Sequence, residues 1–332
     1  MTMISLGDMA QSMMLRRQNA TLKSAMQAAA NALTTGKVAD VGRAVRGDFS
    51  PLAGLDASLA RLSGYRAATT EAGLLAGVMQ TALGTIATLS GELASSLLTA
   101  SSSAQTAQVD AVGTDARQRL DTALSALNTR FADSAVFSGV AADRAPLPDA
   151  DSLLTAAEAA TASAQSAADI EAAVTTWFAD PAGFAATYLG GPSRSDLPIG
   201  PGETATLDIT ATDPALRSTL AGLVMGALLD RGALSGQPEA RSDLARRAGA
   251  GLMQAASDRT LLQARLGLTE ARIDQAATRN AAETSALEIA RLGLVEADPY
   301  EAAARLEAAE TQLQSLYTIT ARLSRLSLVD YI

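Results

Sequence analysis

Apolar residues near the start of the chain recur at alternating steps of three and four positions. Polar Asn19 occupies the one slot that breaks the series, whose members are Leu15, Leu22, Met26, Ala29 and Leu33. Residues three and four apart lie on the same side of an α-helix, so this spacing predicts a helix with one apolar face. Gly36 predicts the end of that helix.

The end of the chain shows the same pattern. After Pro299, leucines follow coiled-coil spacing. Each terminal helix alone is marginal in water, so we predict that the two pair with each other and order when the subunit docks among its neighbours. This hypothesis makes their apolar faces an assembly seam, and ordinary intramolecular core is the alternative for any single member. The assembly seam consists of Leu15, Leu22, Met26, Leu33, Leu306, Leu313, Leu316, Leu323 and Leu326.

Long helices are predicted between these ends. Ser50 and Pro51 can begin a helix that continues to about residue 100, as one helix or two joined ones. A second follows from Thr106, and a third continues from Pro238 until Pro299 interrupts it. Residues 37–50, which contain two glycines and no clear period, predict a loop.

The middle of the chain differs from the two ends in composition and predicted elements. Residues 131–147 predict a short hairpin or an extended turn, and residues 149–238 contain most of the prolines. Within that segment, alternation over Thr204–Thr212 predicts a strand, and Pro214–Leu229 predicts a helix capped by Asp213.

These elements define a fold class: mainly α, a long antiparallel coiled-coil-like helical rod built from both termini, with a small β-hairpin and an inserted mixed α/β central domain. We predict three domains. Residues 1–35 and 299–332 form a terminal coiled-coil assembly domain, residues 36–148 and 239–298 a helical rod domain, and residues 149–238 an inserted outer domain.

Composition narrows the function. Hydrophobic residues make up 48% of the chain but aromatic residues only 3%, which favours helices packed side by side. The net charge of -9, without a basic stripe, argues against nucleic acid and anionic membranes as partners. The longest apolar run, Leu220–Leu229, is too short to span a bilayer, and the N-terminus predicts no cleavable signal peptide.

Candidate chemistry is sparse. The absence of Cys and His removes thiol nucleophiles, most zinc sites and the usual general base, so we predict no cofactor, no metal and no enzyme. Asp208 and Asp213 are either a carboxylate pair for acid–base chemistry or structural residues that flank a strand and cap a helix, and the structural role is favoured. Arg246 and Arg247 are either a phosphate contact or a solvated helix face, and the helix face is favoured. Met9, Met13 and Met14 are adaptable packing contacts or helix filler.

Several short motifs occur in an order that resembles the flagellin-like axial proteins. Thr34–Lys37 resembles the turn that ends their first helix, Ser50–Leu55 the start of their long helix, and Phe137–Gly139 their hairpin turn. The segment Leu326–Ile332, which follows Leu313–Tyr317, resembles the ending of the hook-associated branch more than that of filament flagellin. The Asp-Asp-x-Ala-Gly stretch of flagellin has no clean counterpart.

This resemblance implies a structural subunit that joins hook to filament in the extracellular flagellum and leaves the cell by the flagellar type III export route. Identical subunits, hook-associated protein 1 and flagellin are the implied neighbours, and a flagellar export chaperone is compatible with this role. Filament flagellin is the nearest alternative. A cytoplasmic coiled-coil scaffold or signalling protein is the alternative from another class.

Overall fold

The computed structural model describes the backbone of residues 6–103 and 105–329, and the side chains of residues 9–103 and 105–322. Within these ranges the chain is mainly α, as predicted, with ten helices and two antiparallel hairpins. The described residues up to 63 and from 282 onward form one compact unit, called unit 1. Residues 64–281 form a second, called unit 2. The predicted three-domain division stays a prediction.

Helix α1 covers Leu6–Thr35 and ends where the sequence predicts. Gly36 adopts φ +66°, a conformation that favours glycine, and its N–H donates to the carbonyl of Ala32 at 2.9 Å. The segment that follows contains a one-turn helix, α2 (Val41–Ala44), where the sequence predicts only a loop. Asp40 supplies the missing signal, because its carboxylate accepts the N–H of Arg43 at 3.0 Å and caps this turn.

The predicted long helices are confirmed. Helix α3 covers Ser50–Ser102 as one element of 53 residues, which decides between one helix and two. Helix α4 covers Thr106–Leu127. Helix α9 (Pro238–Val295) and helix α10 (Pro299–Val329) meet at Pro299, as predicted.

Two short hairpins are the β-structure of the described ranges. Strands β1 (Arg130–Phe131) and β2 (Ser134–Ala135) confirm the hairpin predicted after α4. Strands β3 (Leu197–Gly200) and β4 (Glu203–Ala205) form the other.

The strand predicted for Thr204–Thr212 is wrong over most of its length, since β4 covers only its first two residues. The alternation arose because Leu207 and Ile209 are buried in the core, not because a partner strand lies beside them. The backbone there bonds elsewhere: the N–H of Ala211 donates to the carbonyl of Phe137 at 3.0 Å.

Four further helices belong to unit 2, and three of them, α5, α6 and α8, begin at side-chain caps. They are α5 (Ala150–Thr161), α6 (Ala167–Ala179), α7 (Phe184–Thr187) and α8 (Pro214–Leu228). Asp213 caps α8 as predicted, because its carboxylate accepts the N–H of Ala215 at 3.0 Å. Ser166 and Asp169 form a reciprocal capping box at α6.

One continuous core holds unit 2 together. Helix α8 is buried along nearly its whole length, which confirms Leu220–Leu229 as a buried helical run. Gly222 allows close packing of α8 on α9, because a Cβ there would lie 2.6 Å from Cδ2 of Leu252. Gly249 does the same for α9 and α3, where a Cβ would lie 2.9 Å from Cγ of Leu98.

By length and composition alone, α3 is apolar enough to cross a bilayer. This is weak evidence, because a core helix meets the same criterion. Several of its apolar side chains, such as Leu75, Met79 and Leu93, are buried in the core of unit 2.

Candidate assembly surface

Helices α1 and α10 of unit 1 pack along each other, as the sequence predicts for the terminal helices. The residue after α1 and the residues before α10 are bonded together. The N–H of Val38 donates to the carbonyl of Val295 at 2.9 Å, and the N–H of Ala297 donates to that of Gly36 at 3.0 Å. Because the end of α1 is tied to the start of α10, the two helices run antiparallel.

The start of α10 is fixed by its own cap. The carboxylate of Asp298 accepts the N–H of Tyr300 at 2.8 Å. Pro299 occupies the first turn, where a backbone N–H would have no acceptor within the helix, so its missing N–H costs nothing. The entry angle of α10 onto α1 is therefore set by local sequence.

The described members of the assembly seam lie on α1 and α10, which pack together, but they are buried to different extents. Leu316 is buried, with 6% of its surface exposed. Leu33 is 43% exposed. The others are half-buried: Leu15, Leu22, Met26, Leu306 and Leu313. The side chains of Leu323 and Leu326 lie outside the described residues. The role of this set in assembly stays a prediction.

Alanine forms the closed part of the contact. Ala29 of α1 and Ala302 and Ala309 of α10 are buried, so the helices approach closely there. Two helices can bury only one face each, and small side chains bury little apolar area. The pair therefore gains modest stability from its own contact.

Unit 1 also exposes large apolar side chains, and all of them except Leu33 lie outside the predicted seam. The most exposed is Tyr300, at 88%. Clustered exposed apolar residues mark interaction sites in soluble proteins. A signal was available in the sequence: aromatic residues are rare in this chain, yet two of its five tyrosines lie in α10. The exposed residues of unit 1 are Met9, Met13, Met14, Leu33, Phe49, Ile289, Leu292, Tyr300, Tyr317 and Ile319.

Charges in unit 1 lie at its surface. Arg305 pairs with Glu301 one turn earlier at 2.6 Å, and Arg291 of α9 pairs with Asp56 of α3 at 2.6 Å. All four side chains are well exposed, so these pairs contribute little to stability. At the start of α3, hydrogen bonds from the side chain and backbone of Ser50 lower the pKa of Asp48.

The charged residues that the sequence offers for chemistry form ion pairs with neighbouring side chains. Arg265 approaches both carboxylates of the candidate pair, at 3.8 Å from Asp208 and 3.3 Å from Asp213. Asp243 binds both Arg246 and Arg247, and Arg247 also binds Glu171. Among the described residues no group of acidic side chains could hold a metal ion.

Comparison with known proteins defines a class. Residues 251–332 match the model of the bacterial flagellin C-terminal helical region. Over α10 and most of α9, this chain is thus flagellin-like, and the match confirms its resemblance to the flagellin-like axial proteins. The match identifies this region as that of a structural component of the bacterial flagellum, an extracellular appendage.

Other comparisons are less informative. Among solved structures, the chain is similar to a proposed flagellar hook-associated protein from Vibrio parahaemolyticus, at 12% sequence identity and a TM-score of 0.40. That alignment covers 70% of this chain and 94% of the other. So low a similarity carries no conclusion about function. The search of the curated proteins finds no match.

Proposed function

We propose that this chain is a subunit of the hook–filament junction, of the hook-associated protein 3 type, and that it assembles through α1 and α10. The observation that supports this most is the half-covered assembly seam, in a pair of helices that carries a flagellin-type C-terminal region. Its function is structural and not enzymatic.

The assembly step follows from burial. Unit 1 leaves ten large apolar side chains exposed among its described residues, and several of them lie on the same two helices as the assembly seam. Burial of one large apolar side chain contributes about 1.5 to 3 kcal/mol. Neighbouring subunits can cover these side chains, which gives assembly its driving force.

The choice of junction over filament rests on the sequence resemblance. The ending Leu326–Ile332 resembles the hook-associated branch, and the flagellin stretch near Asp48 has no clean counterpart. A junction subunit has one ring of neighbours of its own kind, hook-associated protein 1 on one side and flagellin on the other. Filament flagellin is the alternative, and a tagged copy distinguishes them: one focus at the base of each filament supports the junction, and label along the filament supports flagellin.

Ordering on docking is the second part of this proposal. The free energy that the α1–α10 pair gains from its own contact is small, so the pair opens readily in the free subunit and closes firmly among neighbours. Amide hydrogen exchange on the monomer and on the assembled protein measures this directly. We expect protection of residues 10–30 and 302–322 to rise on assembly. Equal protection before and after assembly contradicts coupled ordering.

Leu313→Asp is the main test of assembly through the seam. A carboxylate in the half-buried contact carries a desolvation cost, so we expect the sedimenting assembled fraction to fall by at least about tenfold. The thermal transition of unit 2 should not change. Cells with this variant as their only copy should lose motility.

Leu268→Asp is the matched control, since Leu268 lies in unit 2 and is 74% exposed. This variant should assemble as the wild type does. Assembly and motility that survive Leu313→Asp contradict the proposal. So does a wild-type protein found only in the cytosol, the result that a cytoplasmic scaffold predicts.

A further inference from the structure

Unit 1 contains a groove of about 770 Å³ beside the closed end of the α1–α10 pair. It is lined by α1, by the segment that contains α2, and by the start of α10. Alanines dominate its floor, among them Ala25, Ala28 and Ala32 of α1 and Ala302 and Ala308 of α10. Short side chains leave a depression into which longer side chains of another molecule can insert.

The rim of this groove, called here the alanine groove, is acidic. Asp40, Glu296, Asp298 and Glu301 border it, against two cations, Arg43 and Arg305. The rim therefore carries an excess of two negative charges. An occupant should combine long apolar side chains with positive charge.

One surface of this same chain has that combination. Met9 and Met13, one turn apart on α1, are 60% and 75% exposed. At about 100° per residue, they share a side of the helix with Arg16 and Arg17, roughly opposite to Leu22 of the seam. These two arginines are the only charged residues between positions 9 and 17. These four residues are called here the methionine face.

The methionine face cannot reach the groove of its own molecule. Both lie on α1, one continuous helix, and Met13 is about 18 Å along the axis from Ala25. Contact between the two surfaces thus requires a second copy.

We propose that the methionine face of one subunit docks in the alanine groove of the next, with Arg16 and Arg17 against the acidic rim. This inference rests on the proposed function, since it specifies which surfaces meet when subunits assemble. Methionine suits the role because its flexible, unbranched side chain adapts to a shallow apolar floor. The two surfaces differ, so the contact is head-to-tail and leaves a free face and a free groove for further copies.

Engineered cysteines test the contact without background, because the natural chain has none. Met13→Cys and Ala25→Cys proteins are mixed in equal amounts, assembled and oxidised. Each protein carries a single cysteine, so any disulfide joins two molecules. It forms only where the two Cα atoms come within about 7 Å of each other. We expect the mixed disulfide dimer to exceed either homodimer by at least about fivefold, because docking raises the local thiol concentration.

Gln27→Cys replaces Ala25→Cys in the matched control. Gln27 is exposed on the same helix, but outside the groove lining. The control mixture should give only the homodimer level of crosslinking. A mixed-dimer yield with Ala25→Cys no higher than with Gln27→Cys, in assemblies that sediment as the wild type does, overturns this inference and leaves the proposed function standing. If the wild type itself does not assemble, both fall.

Charge reversal gives a second readout. Introducing Arg16→Glu and Arg17→Glu beside Met13→Cys should lower the mixed-dimer yield at least about threefold, because complementary charges speed encounter and fix register. Glu296→Lys and Glu301→Lys on the groove partner should restore it. Loss without restoration overturns the charge pairing.

Discussion

Units 1 and 2 contain the same kinds of apolar residue but bury them to different extents. In unit 2, helices α4 to α8 and parts of α3 and α9 surround a core of fully buried side chains, such as Leu120, Leu153 and Phe184. Among the described residues of unit 1, the buried apolar side chains of α1 and α10 are three alanines and Leu316. One unit satisfies its apolar surface internally and the other keeps much of it exposed.

Polar contacts follow the same division. Arg241 in unit 2 is buried, and its guanidinium donates to the carbonyls of Leu229 and Ala233 and to Asp110. In unit 1, Arg291 and Asp56 meet at an exposed surface. Buried networks require a folded surrounding, whereas exposed pairs do not. Unit 2 therefore holds its buried charge within its own core, whereas the charges of this pair in unit 1 stay at the surface.

Equal truncations in the two units should give the largest difference in stability. Leu120→Ala removes a fully buried side chain from unit 2 and should lower its free energy of unfolding by about 3 kcal/mol. Leu22→Ala removes a half-buried side chain from unit 1 and should leave that transition unchanged. Urea unfolding of the full chain, followed by circular dichroism, measures both.

The two variants should have the reverse order of effects on assembly. Leu22→Ala should weaken sedimentation of assembled protein, whereas Leu120→Ala should assemble normally at temperatures where unit 2 stays folded. If Leu22→Ala destabilises the monomer as much as Leu120→Ala does, the contrast between the units is wrong.

Periodicity explains how much of the fold could be predicted from the sequence. Long helices average their signal over many turns, so the starts of α3 and α9 and the break at Pro299 were predicted at the correct residues. The paired termini were predicted too, because both carry a stripe that needs a partner. Short elements have no such averaging: the sequence predicts only a loop where α2 lies, and it predicts a strand at Leu207 and Ile209 that does not form.

The surface was harder to predict than the core. A periodic pattern shows which side of a helix is apolar, but not how completely one partner covers it. Leu33 fits the apolar stripe of α1 and Leu316 that of α10, yet only Leu316 is buried. Exposed residues such as Tyr300 lie outside any stripe, so their exposure emerges only from the packing of whole helices. The alanine groove likewise depends on residues from three segments that no local pattern connects.

Substitution of arginines should give the second-largest effect. Arg241→Met removes a buried cation and its hydrogen bonds to three acceptors, and should lower the free energy of unfolding of unit 2 by about 2 kcal/mol, since hydrogen bonds to charged groups contribute more than neutral ones. Arg291→Met, its matched control in unit 1, should change stability by less than about 0.5 kcal/mol because its ion pair is exposed. Thermal unfolding of both variants checks this. Equal losses of stability would show that burial does not make the contacts of Arg241 more stabilising than those of Arg291.

The capping box of α6 in unit 2 should give the smallest effect, and one that depends on pH. Hydrogen bonds from the Ser166 side chain and the Gln165 N–H lower the pKa of Asp169 below its usual 3.8. The folded state then binds fewer protons than the unfolded state, so this carboxylate stabilises unit 2 above about pH 3.8, and the contribution is lost as pH falls through the folded pKa. Asp169→Asn keeps the shape of the side chain but removes its charge.

We therefore expect Asp169→Asn to lower the melting temperature of unit 2 at pH 7, and its difference from the wild type to shrink as the pH falls through the folded pKa of Asp169. Asp274→Asn, at an exposed position on α9, is the control and should show no such convergence. The charge acts through local hydrogen bonds at the start of α6, so it needs no neighbouring subunit. A melting difference for Asp169→Asn that persists unchanged to pH 2 would show that the amide disturbs packing and that the charge of Asp169 is not what stabilises the cap.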